Sequence, residues 1–313
     1  MNKKFTDFNL NKNILKALNN LEYKEPSKVQ EQAIPKLLKQ EDIIVKSKTG
    51  SGKTASFAIP ICEKIDIDNT NVQALVVVPT RELALQVKDE ISNIGRLKKI
   101  RCSAIFGKQP IKEQISSLKQ RVHVVVATPG RIIDHIERGT INIENIKYLI
   151  IDEADKMLNK GFIEQVDIIF KNSPNKKTIG LFSATIDKDI EYICEKYMNN
   201  PIMVNIENHE EINKKQIDES YIKVEESNKY ETLKKLIYLE NPKSLMLFLN
   251  TRERVMKLYS QMKKDKFLVR ELHGDMSQDK RIYVIKDFKE FKFNILVSSD
   301  VASRGIHIDD IAL

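Results

Sequence analysis

The chain has 313 residues, 41% of them apolar and 31% charged, with a formal net charge of +8. That length allows two ordinary domains, and the composition excludes a disordered or fibrous protein. No apolar run approaches the roughly 20 residues of a membrane helix, so a transmembrane protein is excluded as well. The Lys and Arg excess predicts a polyanionic partner, nucleic acid first. Cys62, Cys102 and Cys194 are widely spaced with no C-x-x-C pairing, which suits a reducing compartment and argues against a zinc site. No secretory leader is read at the N-terminus, and the expected location is cytoplasmic.

Short β-branched runs alternate with amphipathic helical patterns through the first two thirds. The strands are predicted over 42–46, 74–78, 101–106, 122–127, 148–152, 178–182 and 202–206. The helices are predicted over 53–65, 81–94, 111–118, 131–137, 162–171 and 188–198. Near-continuous apolar strands separated by helices predict a parallel sheet covered on both faces. A polar, charge-rich stretch over 208–219 reads as a linker and bounds a first domain of 1–207. The rhythm then restarts over 220–313, with strands at 220–224, 245–249, 269–272 and 294–297. Helices are predicted between them at 230–239, 253–262 and 278–288. The expected fold is α/β with two parallel-sheet domains, the second incomplete at Leu313.

The first strand runs into Ser47, Lys48, Thr49, Gly50, Ser51, Gly52, Lys53 and Thr54, which open a helix. Strand, glycine-rich loop and helix together form the setting of a phosphate-binding loop. Glycines let backbone N–H groups close around phosphates, Lys53 reaches the β- and γ-phosphates, and the Thr54 hydroxyl ligates Mg²⁺. The strand at 148–152 ends in Asp152, Glu153 and Asp155. An acid at that position, Asp152, holds Mg²⁺ beside the phosphate loop, and its neighbour Glu153 orients and deprotonates the attacking water. A nucleoside triphosphate and Mg²⁺ are therefore the expected ligands.

Asp152-Glu153-Ala154-Asp155 is also the name-giving tetrapeptide of the DEAD-box RNA helicases, and almost the whole chain resembles that family. The resemblance implies two RecA-like domains. It further implies that ATP-driven domain closure and RNA bending locally separate RNA duplexes. Phe5 and the run from Tyr23 through Pro26 and Ser27 to Gln30 resemble the family's adenine-reading Q motif. By that likeness Gln30 bonds the adenine edge, Phe5 stacks on the base, and the nucleotide is ATP. The family pattern has glycine where Glu22 stands.

Pro79-Thr80-Arg81 and Thr128-Pro129-Gly130-Arg131 are similar to two motifs that grip the RNA backbone, and Gly107-Lys108 stands where the family has two glycines. Ser183-Ala184-Thr185 resembles the motif that couples hydrolysis to strand separation, its hydroxyls tied to Asp155. In the second domain, Thr251, Arg252, His273, Gly274, Gln278 and Arg281 look like RNA contacts. So do Ser299, Asp300, Arg304 and Gly305, after which His307 replaces the aspartate implied to bind the ribose. The family's arginine-finger element does not occur within these 313 residues. An RNA- and ATP-binding protein with little or no turnover is accordingly the alternative expectation. The resemblance implies backbone-directed binding of duplex or single-stranded RNA by a monomer, with ribonucleoprotein or RNA-decay partners and no membrane.

Overall fold

The structure, a computed structural model, describes residues 3–48, 50–158, 161–206, 220–299 and 311. The chain divides into two units, Met1–Glu207 and Asn208–Leu313.

A 3₁₀ turn over Phe5–Phe8, helix α1 (Lys12–Asn20) and helix α2 (Lys28–Leu38) precede the first strand. Regular alternation follows: β1 (Ile43–Lys46), α3 (Lys53–Lys64), β2 (Ala74–Val77), α4 (Arg81–Gly95), β3 (Cys102–Ile105), α5 (Ile111–Leu118), β4 (Val124–Ala127), α6 (Pro129–Glu137) and β5 (Tyr148–Ile151). The short α7 (Ala154–Leu158), α8 (Ile163–Lys171), β6 (Thr178–Ser183), α9 (Lys188–Tyr197) and β7 (Ile202–Asn205) complete the unit. All seven strands are parallel, in the order β3-β4-β2-β5-β6-β1-β7.

Strands β2, β4, β5 and β6 are buried at every residue and β1 at all but Lys46, whereas the outer strands β3 and β7 are only partly covered. A strand covered on both faces tolerates few solvated side chains, which is why those segments read as near-continuous apolar runs. Successive residues of β5 serve opposite faces: Tyr148 and Ile150 join the core under α1–α4, and Leu149 and Ile151 the core under α6–α9. Asp42, expected inside the first strand, instead sits just ahead of it. Its carboxylate accepts from Ile179 N (2.7 Å) and Asn199 N (2.8 Å), clamping neighbouring segments to the start of β1.

The second unit holds α10 (Lys229–Glu240), β8 (Leu245–Leu249), α11 (Arg252–Lys264), β9 (Val269–Leu272), α12 (Gln278–Lys289) and β10 (Ile295–Ser299). Its three strands are parallel in the order β8-β10-β9, with a small apolar cluster on each face. The strand expected over 220–224 does not form. Tyr221 and Ile222 are 83% and 56% exposed, and among the described residues both β8 and β9 pair only with β10. A period-2 apolar pattern makes a strand only where a sheet receives it. The linker expected over 208–219 lies outside the described residues.

Candidate active site and nucleic-acid interface

In a parallel sheet each strand delivers its following loop to one shared edge, where ligands of open α/β sheets gather. The strand order sorts the candidate residues along that edge of the first unit. Adjacent strands β5, β6 and β1 lead into residues 152–155, 183–185 and 47–54. Adjacent strands β3, β4 and β2 lead into Gly107, residues 128–131 and residues 79–81.

On the first half, Gly50 and Gly52 take φ of 82° and 89°, a left-handed backbone that glycine adopts without strain. A Cβ on Gly52 would lie 2.6 Å from Gln30 Nε2 and 2.9 Å from Ser27 Oγ, so the loop is pressed against the start of α2. Ser27 Oγ donates to Ser51 O (2.8 Å), and Gln30 Nε2 donates to Gly52 O (3.2 Å). Gln30 Oε1 accepts from Ser27 N (2.9 Å), closing a capping box. Lys53 is buried and folds back to donate to Ser47 O at 2.8 Å. Lys48 and Gly50 are exposed, Thr54 is half-buried at the first turn of α3, and Thr49 lies outside the described residues.

Pro26 is buried beside the capping box. Phe5 is buried edge-on between Phe8 (6.2 Å) and Tyr23 (6.1 Å). The Tyr23 hydroxyl bonds the Glu90 carboxylate on α4, and burial with that carboxylate pushes the phenol well above its ordinary range. The structure thus brings Ser27 and Gln30 onto the phosphate loop and seats Phe5 in the core.

The acids are nearly dry. Asp152 is 3% exposed, its Oδ1 accepting from Glu153 N at 2.9 Å. Burial pushes its carboxyl up to about 6, against the opposing pull of Lys53 and with a further push from Glu153. Glu153 turns through a left-handed φ of 50°, and its Oε1 pairs with Lys156 Nζ at 2.7 Å. Its Oε2 is buried with no hydrogen-bond partner among the described residues. Asp155 N donates to Ser183 Oγ (3.2 Å), Thr185 Oγ1 donates to Asp155 Oδ2 (3.4 Å), and Ser47 N donates to Ser183 O (2.9 Å). Phosphate loop, acid turn and the end of β6 are therefore one hydrogen-bonded unit.

Among the described residues no three His, Cys, Asp or Glu side chains converge on a metal position. The donors available are a hydroxyl at Thr54 and a desolvated carboxylate at Asp152, hard oxygens on two side chains. That set fits Mg²⁺, which takes one or two protein oxygens and fills its sphere with phosphate and water.

The second half is built differently. Thr80 Oγ1 accepts from Leu83 N (3.2 Å) to cap α4, and Pro79 is buried behind it. Thr128 and Pro129 start α6, leaving Gly130 exposed. Arg81 reaches the loop after β3, where a Cβ on Gly107 would lie 3.6 Å from its Nη2. Arg131 faces inward: its Nη1 donates to Gln109 O and to Gln114 Oε1, both at 3.1 Å. Gln114, His135 and Lys156 belong to none of the motifs read from the sequence, and only their partners reveal them.

In the second unit the ends of β8, β10 and β9 bring Thr251 with Arg252, Ser299, and His273 with Gly274 to one edge. Thr251 caps α11 by accepting from Arg254 N (3.3 Å). The Arg252 guanidinium pairs with Asp275 and, at 3.0 Å, with Glu253. His273 is buried with Nε2 3.7 Å from Glu271, and Arg281 stands on the first turn of α12. The Gln278 side chain, Asp300, Arg304, Gly305 and His307 lie outside the described residues.

The profile of the DEAD/DEAH box helicase family matches residues 27–193, and that of the helicase conserved C-terminal domain matches 228–313. The chain is 46% identical over 309 residues to the ATP-dependent RNA helicase DbpA of Bacillus subtilis, covering 99% of this chain and 64% of that relative. It is 41% identical over 307 residues to the DEAD-box ATP-dependent RNA helicase CshA of Geobacillus kaustophilus, covering 98% and 66%. It thus spans about two thirds of the length of these curated relatives or slightly less. Among solved structures it resembles a DEAD box protein of Methanococcus jannaschii, with 39% identity, TM-score 0.64, and 98% and 83% of the two chains covered. It also resembles Saccharomyces cerevisiae Dbp5 bound to RNA and ADP BeF3, with 28% identity, TM-score 0.83, and 99% and 79% covered. The chain belongs to the DEAD/DEAH box helicase family.

Proposed function

We propose that this chain is an ATP-dependent RNA helicase, hydrolysing ATP to ADP and phosphate and separating short stretches of RNA duplex. The observation that carries the reading is the buried Oε2 of Glu153, without a partner among the described residues, on an acid turn that is hydrogen-bonded, like the glycine-rich loop, to Ser183 at the end of β6. A desolvated carboxylate oxygen with no donor is a proton acceptor in waiting, and Glu153 is assigned as the general base for the attacking water. Lys53 gives up Ser47 O for the β- and γ-phosphates, while residues 47–54 wrap the phosphates with backbone N–H groups. Thr54 and Asp152 hold Mg²⁺, which when bound neutralises charge on the phosphate oxygens. Asp155, Ser183 and Thr185 relay the state of the acid turn to β6.

Gln30, already spanning Ser27 and Gly52, keeps one amide hydrogen and one lone pair for adenine. Phe5 stiffens that motif from the core, and its stacking on the base stands as part of the proposal. RNA is taken by its backbone along residues 79–81, 107 and 128–131, and by residues 251–252, 273–274, 278, 281, 299–300 and 304–305 of the second unit. Contacts of that kind read A-form geometry and 2′-hydroxyls rather than sequence. The two units close on RNA when ATP is bound. Among the described residues no helix is long and apolar enough to cross a membrane. A cytoplasmic location and a monomeric state belong to the same proposal.

RNA-stimulated phosphate release by the purified chain tests the reading, with DNA duplex as competitor. Glu153→Gln should lower turnover by roughly 10²–10⁴-fold and leave ATP affinity nearly unchanged. Background release from the parent chain despite tight ATP binding would favour a binding module instead.

A further inference from the structure

The half of the edge assigned to RNA contains a buried polar hub that no motif includes. Gln114, on α5, is 4% exposed, and its carboxamide makes four polar contacts. Nε2 donates to Phe106 O at 2.9 Å and to Gln109 Oε1 at 3.3 Å. Oε1 accepts from Arg131 Nη1 at 3.1 Å and lies 3.3 Å from His135 Nε2. A carboxamide has two donor hydrogens and two acceptor lone pairs, so with His135 protonated on Nε2 the hydrogen-bonding capacity of this one is used in full. Two of those partners flank the turn at Gly107 and Lys108. The other two lie on successive turns of α6, whose first turn carries Gly130 and Arg131.

That turn needs holding. Lys108 adopts a φ of 61°, a left-handed conformation that strains a residue with a Cβ. Arg131 adds a second tie by donating to Gln109 O at 3.1 Å. Gly130 is exposed, and Gly107 is half-buried with only Arg81 near the position of a Cβ.

We propose that Gln114 is a positioning residue for RNA, stapling the turn 107–110 to the N-terminal turns of α6 so that both present their backbone to one RNA strand in fixed register. The staple rests on the reading of this half of the edge as an RNA-binding surface. It works through other residues, since Gln114 itself is shut away from any ligand. Its chemistry is specific, because the hub needs two donors and two acceptors on one planar group. Leucine keeps the volume and loses all four bonds. Glutamate keeps acceptance from Arg131 and His135 but cannot donate to Phe106 O.

The test compares the parent chain with Gln114→Leu, Gln114→Glu and the helix-surface control Glu113→Ala. Backbone hydrogen exchange is read over residues 107–110 and 128–132, and the oligoribonucleotide concentration for half-maximal ATPase stimulation is measured alongside. Gln114→Leu should speed exchange in both segments by an order of magnitude and raise the half-maximal RNA concentration about tenfold. The Michaelis constant for ATP without RNA should not move, Gln114→Glu should fall between leucine and parent, and Glu113→Ala should match the parent. Unchanged exchange in Gln114→Leu would overturn the staple. Faster exchange with unchanged RNA half-saturation would overturn its role in RNA positioning. A parent chain that hydrolyses ATP without any response to RNA would instead remove the RNA reading, and the exchange arm would still decide whether the staple exists.

Discussion

The two halves of the first unit's ligand edge stand on the same sheet yet solve opposite problems. Around β5, β6 and β1 the polar groups are buried and under-satisfied: Asp152 is ionised only with difficulty, Glu153 Oε2 has no partner among the described residues, and Lys53 is occupied by a loop carbonyl. Around β3, β4 and β2 the buried Gln114, Arg131 and His135 are tied together through Gln114 and to backbone, and the unpartnered buried oxygen there among the described residues is Gln165 Oε1, beside Gly130. A half with unmet valences is arranged for a ligand that brings charge and hydrogen bonds with it. A half whose central side chains are committed to one another offers a ligand mainly the shape and backbone they hold in place. Desolvation that would be pure cost in one place is, in the other, the source of reactivity.

The sharpest way to break this contrast is Asp152→Asn. With its carboxyl pushed from an ordinary 3.8 to about 6, the folded state spends about 3 kcal/mol on ionising this group at neutral pH. Asparagine keeps an oxygen for Glu153 N and removes the charge. The variant should lose turnover and yet melt several degrees above the parent at pH 7.5 without nucleotide. Because the folded carboxyl titrates above the unfolded one, this part of the stability is fully present below pH 3.8 and lost as pH rises through about 6. The melting gap between variant and parent should therefore close on acidification, as calorimetry across pH 4–8 would read. A variant less stable than the parent at pH 7.5 would mean the acid turn is not under-satisfied.

Arg131→Met probes the saturated half and should have the reverse signature. It strips a charged donor from Gln109 O and Gln114 Oε1, an effect of about 2 kcal/mol against the fold. Hydrolysis measured without RNA should stay within about twofold of the parent once the protein is shown to be folded. Denaturant titration and a basal ATPase assay read the two effects separately. A stable variant with normal RNA dependence would show that the network is not what orders this half.

Which half was legible beforehand follows from the same contrast. The phosphate loop and the acid turn are local strings in which residue type alone announces phosphate and proton chemistry, so 47–54 and 152–155 could be read directly. The staple could not, because Gln114 draws its meaning from residues 106, 109, 131 and 135, which only the sheet order brings together. The parallel sheet was readable because its inner strands are near-continuous apolar runs, polar only at Lys46, Thr178 and Ser183 near strand ends. Helices α1 and α2 carry an equally regular signal, with Ile14, Ala17 and Leu18 and then Val29, Ala33, Ile34 and Leu37 at helical spacing, although the alternation of strand and helix begins only at β1. Two positions where the chain departs from the family's glycines, Glu22 and Lys108, keep left-handed φ of 60° and 61°. Both positions thus take a left-handed turn without the residue that adopts it most easily, which residue type alone does not announce.

The smallest effect is the most direct comparison, because the two halves should titrate in opposite senses. His135 is fully buried, with Nδ1 2.8 Å from Thr140 Oγ1 and Nε2 facing Gln114. Burial and then Arg131 hold its pKa below the ordinary 6.5, with Arg138 acting the same way and Asp134 opposing. Above pH 6.5 neither folded nor unfolded His135 is charged, and it adds nothing to the pH dependence. Below that value the unfolded chain takes up a proton that the folded one resists, so stability is lost as pH falls toward the folded value. His123, whose Nδ1 accepts from Arg101 N at 3.0 Å, is shifted down by burial too and adds a similar slope. Between pH 5 and 6.5 acidification thus weakens the saturated half while it relieves Asp152 in the other. His135→Gln, in the Asp152→Asn background that lacks the opposing carboxyl slope, should flatten stability against pH by at most about 1.4 kcal/mol per pH unit. An unchanged slope in that double variant, measured by urea titration at half-unit pH steps, would mean that His135 keeps its proton as readily in the fold as out of it.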